Sequence, residues 1–90
     1  MQITEENIKL IEEYASALFS KREVLAMMSV EASQIENYLV CRDFVLAYDK
    51  GRFTREFRVR KSLLDLAENG SAQAQIEAIK LITKLAVENV

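Results

Sequence analysis

Ile8, Ile11, Tyr14, Ala15, Leu18 and Phe19 recur at three- and four-residue spacing, with Lys9, Glu12, Glu13 and Ser16 between them. That is one apolar face of an amphipathic helix, and it predicts a first helix over residues 5–18. Thr4 suits its N-cap, and Glu5 and Glu6 oppose the helix dipole in the first turn. Ser20-Lys21-Arg22-Glu23 reads as a capping box, with Glu23 reaching back to the cap. It opens a short second helix running to about Met28, with Val24, Leu25 and Met28 inward. Ser29-Val30 breaks the pattern. A third helix is expected from Glu31 or Ala32 to Val40 or Cys41, carrying Ile35, Tyr38 and Leu39 inward.

A long central helix follows, at about residues 43–69. Gly51 lies inside it at a helix cost of about 1 kcal/mol against alanine, and marks either a kink or a boundary. At about 100° per residue, Phe53, Phe57, Leu64 and Ala67 fall on one side. Val59, Leu63 and Leu66 fall on a second, with Arg55, Arg58, Ser62 and Asp65 between. A helix with two apolar faces packs against two things. Asn69-Gly70-Ser71 ends it, Gly70 suiting a C′ position and Ser71 the next N-cap. The last helix, at about 72–88, carries Ile76, Ile79, Leu81, Ile82, Leu85 and Ala86 round most of its circumference. Something must cover it, and self-association is one way. The expectation is an all-α chain, residues 1–90 as a single helical domain of four to five helices. It has a helix-turn-helix-like hairpin at about 21–40, a long central helix and an apolar C-terminal helix.

Composition narrows the chemistry. The 90 residues include no histidine, no proline, two glycines and one cysteine. There is thus no His base or ligand, no intramolecular disulfide, no Cys/His zinc site and no glycine-rich phosphate loop. An enzyme is not expected, nor is a metal or other cofactor. Cys41 reads as a half-buried structural thiol, and its being alone fits a reducing cytoplasm. The acidic start, Met1 to Glu6, has no apolar run after it and does not read as a signal peptide. No stretch is apolar enough to span a bilayer. Met27 and Met28 read as core fillers, and Phe44, Tyr48, Phe53 and Phe57 as packing residues.

Charge is distributed unevenly. Residues 1–40 carry 3 basic and 7 acidic side chains, residues 41–61 carry 7 and 3, and residues 62–90 carry 2 and 4. The middle segment is cationic within a chain of net charge −2. Lys50, Arg52, Arg55 and Arg58 are therefore candidate phosphate contacts. The alternatives are a solvated face or pairing with the acidic first helix.

The second and third helices have the spacing of a helix-turn-helix. Ser29 stands where glycine is usual in the turn, and Leu25 where a small residue is usual. A DNA reader would present Ser33, Gln34 and Asn37 to base edges, with Lys21 and Arg22 on the backbone. Glu31 and Glu36 face the same region and repel phosphate. A plain helical hairpin fits the same spacing.

Three stretches resemble the small terminase subunits of tailed phages and related short phage helix-turn-helix proteins. They are Ser20 to Val30; the A-Y-x-x-G-R stretch Ala47-Tyr48-Asp49-Lys50-Gly51-Arg52; and Arg60 to Gln75 with the following Lys80-Leu81-Ile82. They cover about residues 20–82, and their order is more telling than any one alone. The resemblance implies a packaging protein in the cytoplasm of a bacterial host. Such a protein binds double-stranded viral DNA, assembles as a homo-oligomeric ring and hands DNA to a large terminase subunit. Two other readings stay open: a helical structural or interaction module with a degenerate helix-turn-helix, and a dimeric prophage transcriptional regulator.

Overall fold

A computed structural model describes residues 3–88. Met1 and Gln2, part of the acidic start, lie outside the described residues. The architecture is all-helical: α1 Glu5–Ser16, α2 Lys21–Met27, a 3-10 turn Ala32–Gln34 leading into α3 Ile35–Leu39, α4 Arg42–Glu68 and α5 Ala72–Glu88. The chain falls into two compact units, residues 1–56 and 57–90, and α4 contributes to both. Among the described residues no helix is long and apolar enough to cross a membrane.

Local capping sets the boundaries in the first unit. Thr4 Oγ1 accepts from the Asn7 amide at 3.1 Å, and Asn7 Oδ1 accepts from the Thr4 amide at 3.2 Å. Ser20 and Glu23 form the same reciprocal box at α2. Each box satisfies two amides that the helix start leaves unpaired. Helix α1 ends at Ser16, two residues earlier than the apolar spacing predicts. Leu18 is the reason: its φ is +69°, outside the helical region, and its side chain is exposed rather than inward. The third helix also differs, because its first turn is 3-10 and only Ile35–Leu39 is α-helical.

The turn after α2 is a Schellman motif. The Val30 amide donates to the Leu25 carbonyl at 3.1 Å and the Ser29 amide to the Ala26 carbonyl at 3.0 Å. Ser29 holds the left-handed position, φ +62°, where glycine is usual. Gly70 does the same after α4, at φ +95°, with Ser71 donating to Leu66 and Gly70 to Ala67.

The core of the first unit gathers Ile11, Ala15, Val24, Leu25, Phe44, Ala47 and Tyr48. Phe44, Ile11, Leu25 and Val24 are fully buried, worth about 1.5–3 kcal/mol each in apolar transfer. Leu25 is thus a core residue of the hairpin rather than an obstacle to it. Met27 points outward, 43% exposed, and only Met28 packs on the core. Phe53 and Phe57 are likewise exposed, unlike Phe44 and Tyr48. The Tyr48 hydroxyl donates to the Phe19 carbonyl at 2.7 Å and ties α4 to the link between α1 and α2.

Gly51 neither ends α4 nor divides it. It is buried inside the continuous helix because α1 crosses there backbone to backbone. A Cβ at Gly51 would stand 2.7 Å from the Glu12 Cα and closer still to the Glu12 carbonyl oxygen.

Two substitutions separate these glycine-like positions by sign. Gly51→Ala adds a strong helix former yet is expected to destabilise the chain by about 2 kcal/mol or more, because backbone cannot yield to the methyl. Ser29→Gly is expected to stabilise it by about 0.5–1 kcal/mol by removing the cost of a left-handed Cβ. Thermal and urea unfolding measure both.

Candidate nucleic-acid interface

The α2–turn–α3 segment, residues 21–39, is the hairpin the sequence spacing predicts. Val24 and Leu25 lie buried, with Met28, Val30, Ile35 and Tyr38 packed against the same core. Its front edge carries Ser33, Gln34 and Asn37, all exposed. Ser33 and Gln34 sit on the 3-10 turn and Asn37 sits on α3. Asn37 Nδ2 donates to Gln34 Oε1 at 3.1 Å. The bond holds the two amides side by side. It leaves Gln34 Nε2 as a donor and Asn37 Oδ1 as an acceptor, a pattern complementary to the major-groove edge of adenine.

An open cleft of about 650 Å³ is lined by residues that include Lys21, Arg22, Glu23, Tyr48, Arg52 and Glu56. The cations reach it from different elements, Lys21 and Arg22 from the start of α2 and Arg52 from α4. Each is engaged. Lys21 Nζ stands 5.6 Å from the centre of the Tyr48 ring, a cation–π contact. Arg22 Nη2 meets Glu36 Oε1 at 2.6 Å, bridging α2 to α3. Arg52 Nε meets Glu56 Oε1 at 3.1 Å, one turn along α4. The bond to Glu56, then the neighbouring Tyr48 hydroxyl, holds the Arg52 guanidinium above its ordinary value. Glu23 is held below the usual carboxylate range by the Ser20 amide and then the Ser20 hydroxyl, which favour its charged form.

The other predicted cations are used elsewhere. Lys50 Nζ pairs with Glu12 Oε1 at 3.3 Å. Arg55 Nε donates to the Ser16 carbonyl at 2.8 Å, supplying a partner and a positive charge at the C-terminus of α1. These two residues fasten the acidic first helix to α4. Arg58 belongs to the second unit and carries no such tie; it is exposed. The structure thus brings Lys21, Arg22 and Arg52 to one cleft, with Ser33, Gln34 and Asn37 on the hairpin's front edge. It commits Lys50 and Arg55 to α1. Sequence spacing alone missed the role of Arg55, whose partner is 39 residues away.

Among the described residues, no three His, Cys, Asp or Glu side chains come together as metal ligands. Cys41 is half-buried at the start of α4, where its carbonyl accepts from the Val45 amide at 3.0 Å. Comparison with models of known protein families, with curated proteins and with solved structures finds no match to this chain.

Arg55→Ala is expected to lower stability by about 0.5–1 kcal/mol, the scale of an exposed C-terminal helix contact. Its loss should appear in urea unfolding, while Arg58→Ala should leave the midpoint unchanged.

Proposed function

We propose that this chain is a non-enzymatic DNA-binding protein of the small-terminase kind, a homo-oligomer that recognises double-stranded viral DNA for packaging and passes it to a large terminase subunit. The observation that carries the DNA part is the front of the α2–α3 hairpin. There the bridged Gln34–Asn37 pair offers a donor and an acceptor from a hairpin whose inner side is fixed in the core. Ser33 beside it suits a phosphate or base contact. Lys21, Arg22 and Arg52, gathered in one cleft, supply backbone contacts.

The carboxylate partners do not bar phosphate. An exposed ion pair such as Arg22–Glu36, 62% and 72% accessible, is worth about 0–1 kcal/mol. Arg22 exchanges that partner for a DNA phosphate and releases a counterion in doing so. Glu36 stays behind as a repulsive charge, so it lowers affinity without abolishing binding. In this reading α3 is a weak, electrostatically restrained reader, and affinity comes from several linked copies.

The test is binding of the purified chain to a labelled duplex, titrated at several salt concentrations. Wild type is expected to bind with a steep salt dependence. Arg22→Ala should reduce the slope by about 1. Glu36→Gln should tighten binding severalfold, and the pair Gln34→Ala with Asn37→Ala should flatten sequence preference while leaving the slope unchanged. No binding at low salt would remove DNA from the reading and leave a helical interaction module.

A further inference from the structure

The cleft of about 650 Å³ at the start of α2 combines more kinds of chemistry than a backbone contact needs. Its lining runs from Leu18 to Glu56, inside the first unit. A volume of this order is that of a small-molecule site. Two of its cations stand on one ring. Lys21 Nζ lies 5.6 Å from the centre of Tyr48, and Arg52 neighbours the Tyr48 hydroxyl. Arg22 joins them from the first turn of α2. Arg22 and Arg52 are held by solvent-exposed ion pairs, with Glu36 and Glu56, and such pairs exchange for an anion at little cost.

Leu18 lines the same cleft at a conformational cost. Its φ is +69° and its side chain is 60% exposed. Glycine or asparagine holds a left-handed turn more easily, so the turn alone does not call for leucine. What leucine adds is apolar surface on the cleft, where Leu39 and Tyr48 are the other apolar members. Backbone strain of this kind gathers at ligand sites. Glu23 adds an acceptor. Its Oε1 takes the Ser20 amide at 3.0 Å, and a carboxylate has about four acceptor positions, so it also serves a ligand N–H. The bonds from the Ser20 amide and then the Ser20 hydroxyl favour its charged form.

We infer that this cleft seats a phosphate monoester carried on a flat apolar body with N–H donors, the chemistry of a nucleotide. Three features select this ligand together. Cations from two helices match a terminal phosphate, which presents three acceptor oxygens and up to two negative charges. Leu18 and Leu39 give a base an apolar surface, which inorganic phosphate or a sugar phosphate leaves unused. Glu23 accepts an N–H from the base, a donor that a hydrocarbon tail lacks. The monoester has two sources, a free nucleotide or the 5′-phosphate at the end of a strand. The same cations serve the DNA backbone in the reading above, so nucleotide and duplex compete for them.

Isothermal titration calorimetry of the full chain at low salt, with deoxyadenosine monophosphate, deoxyadenosine and inorganic phosphate as probes, tests this. The monophosphate is expected to bind about tenfold tighter than either part alone. Arg52→Gln should weaken monophosphate and inorganic phosphate alike. Leu18→Gly should weaken the monophosphate about fivefold, leave inorganic phosphate unchanged, and unfold no earlier in urea, because it removes a left-handed Cβ. A monophosphate that binds no tighter than inorganic phosphate, or a Leu18→Gly chain that binds it as well as wild type, overturns the assignment. Duplexes ending in 5′-phosphate or 5′-hydroxyl then separate the sources. A preference for phosphate ends that the monophosphate abolishes assigns the cleft to strand ends, and equal binding assigns it to the free nucleotide. Duplex binding without monophosphate binding overturns the nucleotide site and leaves the DNA reading standing. Monophosphate binding without duplex binding does the reverse.

Discussion

The first unit depends on one contact, the backbone of α1 lying against Gly51 of α4. No side chain separates the helices there, so Glu12 is placed within reach of Lys50 and the end of α1 within reach of Arg55. The same approach lets Ile11 and Ala15 sink fully beside Ala47 and Tyr48. With α1 fixed, the Tyr48 hydroxyl meets the Phe19 carbonyl and sets where α2 begins. The hairpin's inner residues then meet a core already formed by α1 and α4. The glycine costs helix stability, and the contact it permits outweighs that cost because a whole helix face is buried through it.

This contact also decides what the cationic segment does. Counted along the chain, residues 41–61 look like a basic patch. Folded, Lys50 and Arg55 face an acidic helix, and Arg52 faces Glu56. Much of the excess charge is spent on holding α1 and α4 together. Toward the hairpin it supplies Arg52, which joins Lys21 and Arg22 of α2 in one cleft, each with a local partner that gives way for little energy. The electrostatics therefore favour contacts that are few, salt-sensitive and weak per chain.

The readable parts of the fold are those whose cause lies within a few residues. Ser20 and Glu23 cap each other across three positions, Thr4 marks the start of α1, and Gly70 with Ser71 sets the break at 69–71. All-helical architecture and both long helices follow from such signals. The misread parts have distant causes. Gly51 looks like a weakness in a helix until the partner 39 residues earlier is known. Leu18 extends an apolar repeat in sequence, but the chain must turn there to deliver Phe19 and Ser20 to their partners, and the turn puts Leu18 in a left-handed conformation. Met27 follows the same logic, one residue from an inward position but on the outer side of a seven-residue helix. In the candidate site, Gln34 and Asn37 were legible as exposed amides at three-residue spacing. Their bond to each other, which fixes which donor and acceptor face outward, was not.

The two units differ in how their stability is founded. Residues 3–56 bury large side chains such as Phe44, Ile11 and Leu25 from several helices. Residues 57–88 bury two alanines and expose Phe57, Val59, Leu66, Ile76, Ile79 and Ile82. Apolar burial at about 25 cal/mol per Å² cannot balance the ordering of two helices when so little is hidden. Helix α4 belongs to both units, so its second half extends a helix whose first half is already fixed by α1. Nucleating a new helix is the costly step, and continuing an existing one adds a bond for each residue fixed. The second half of α4 thus continues a helix already fixed at Gly51, and this lowers the cost of ordering it.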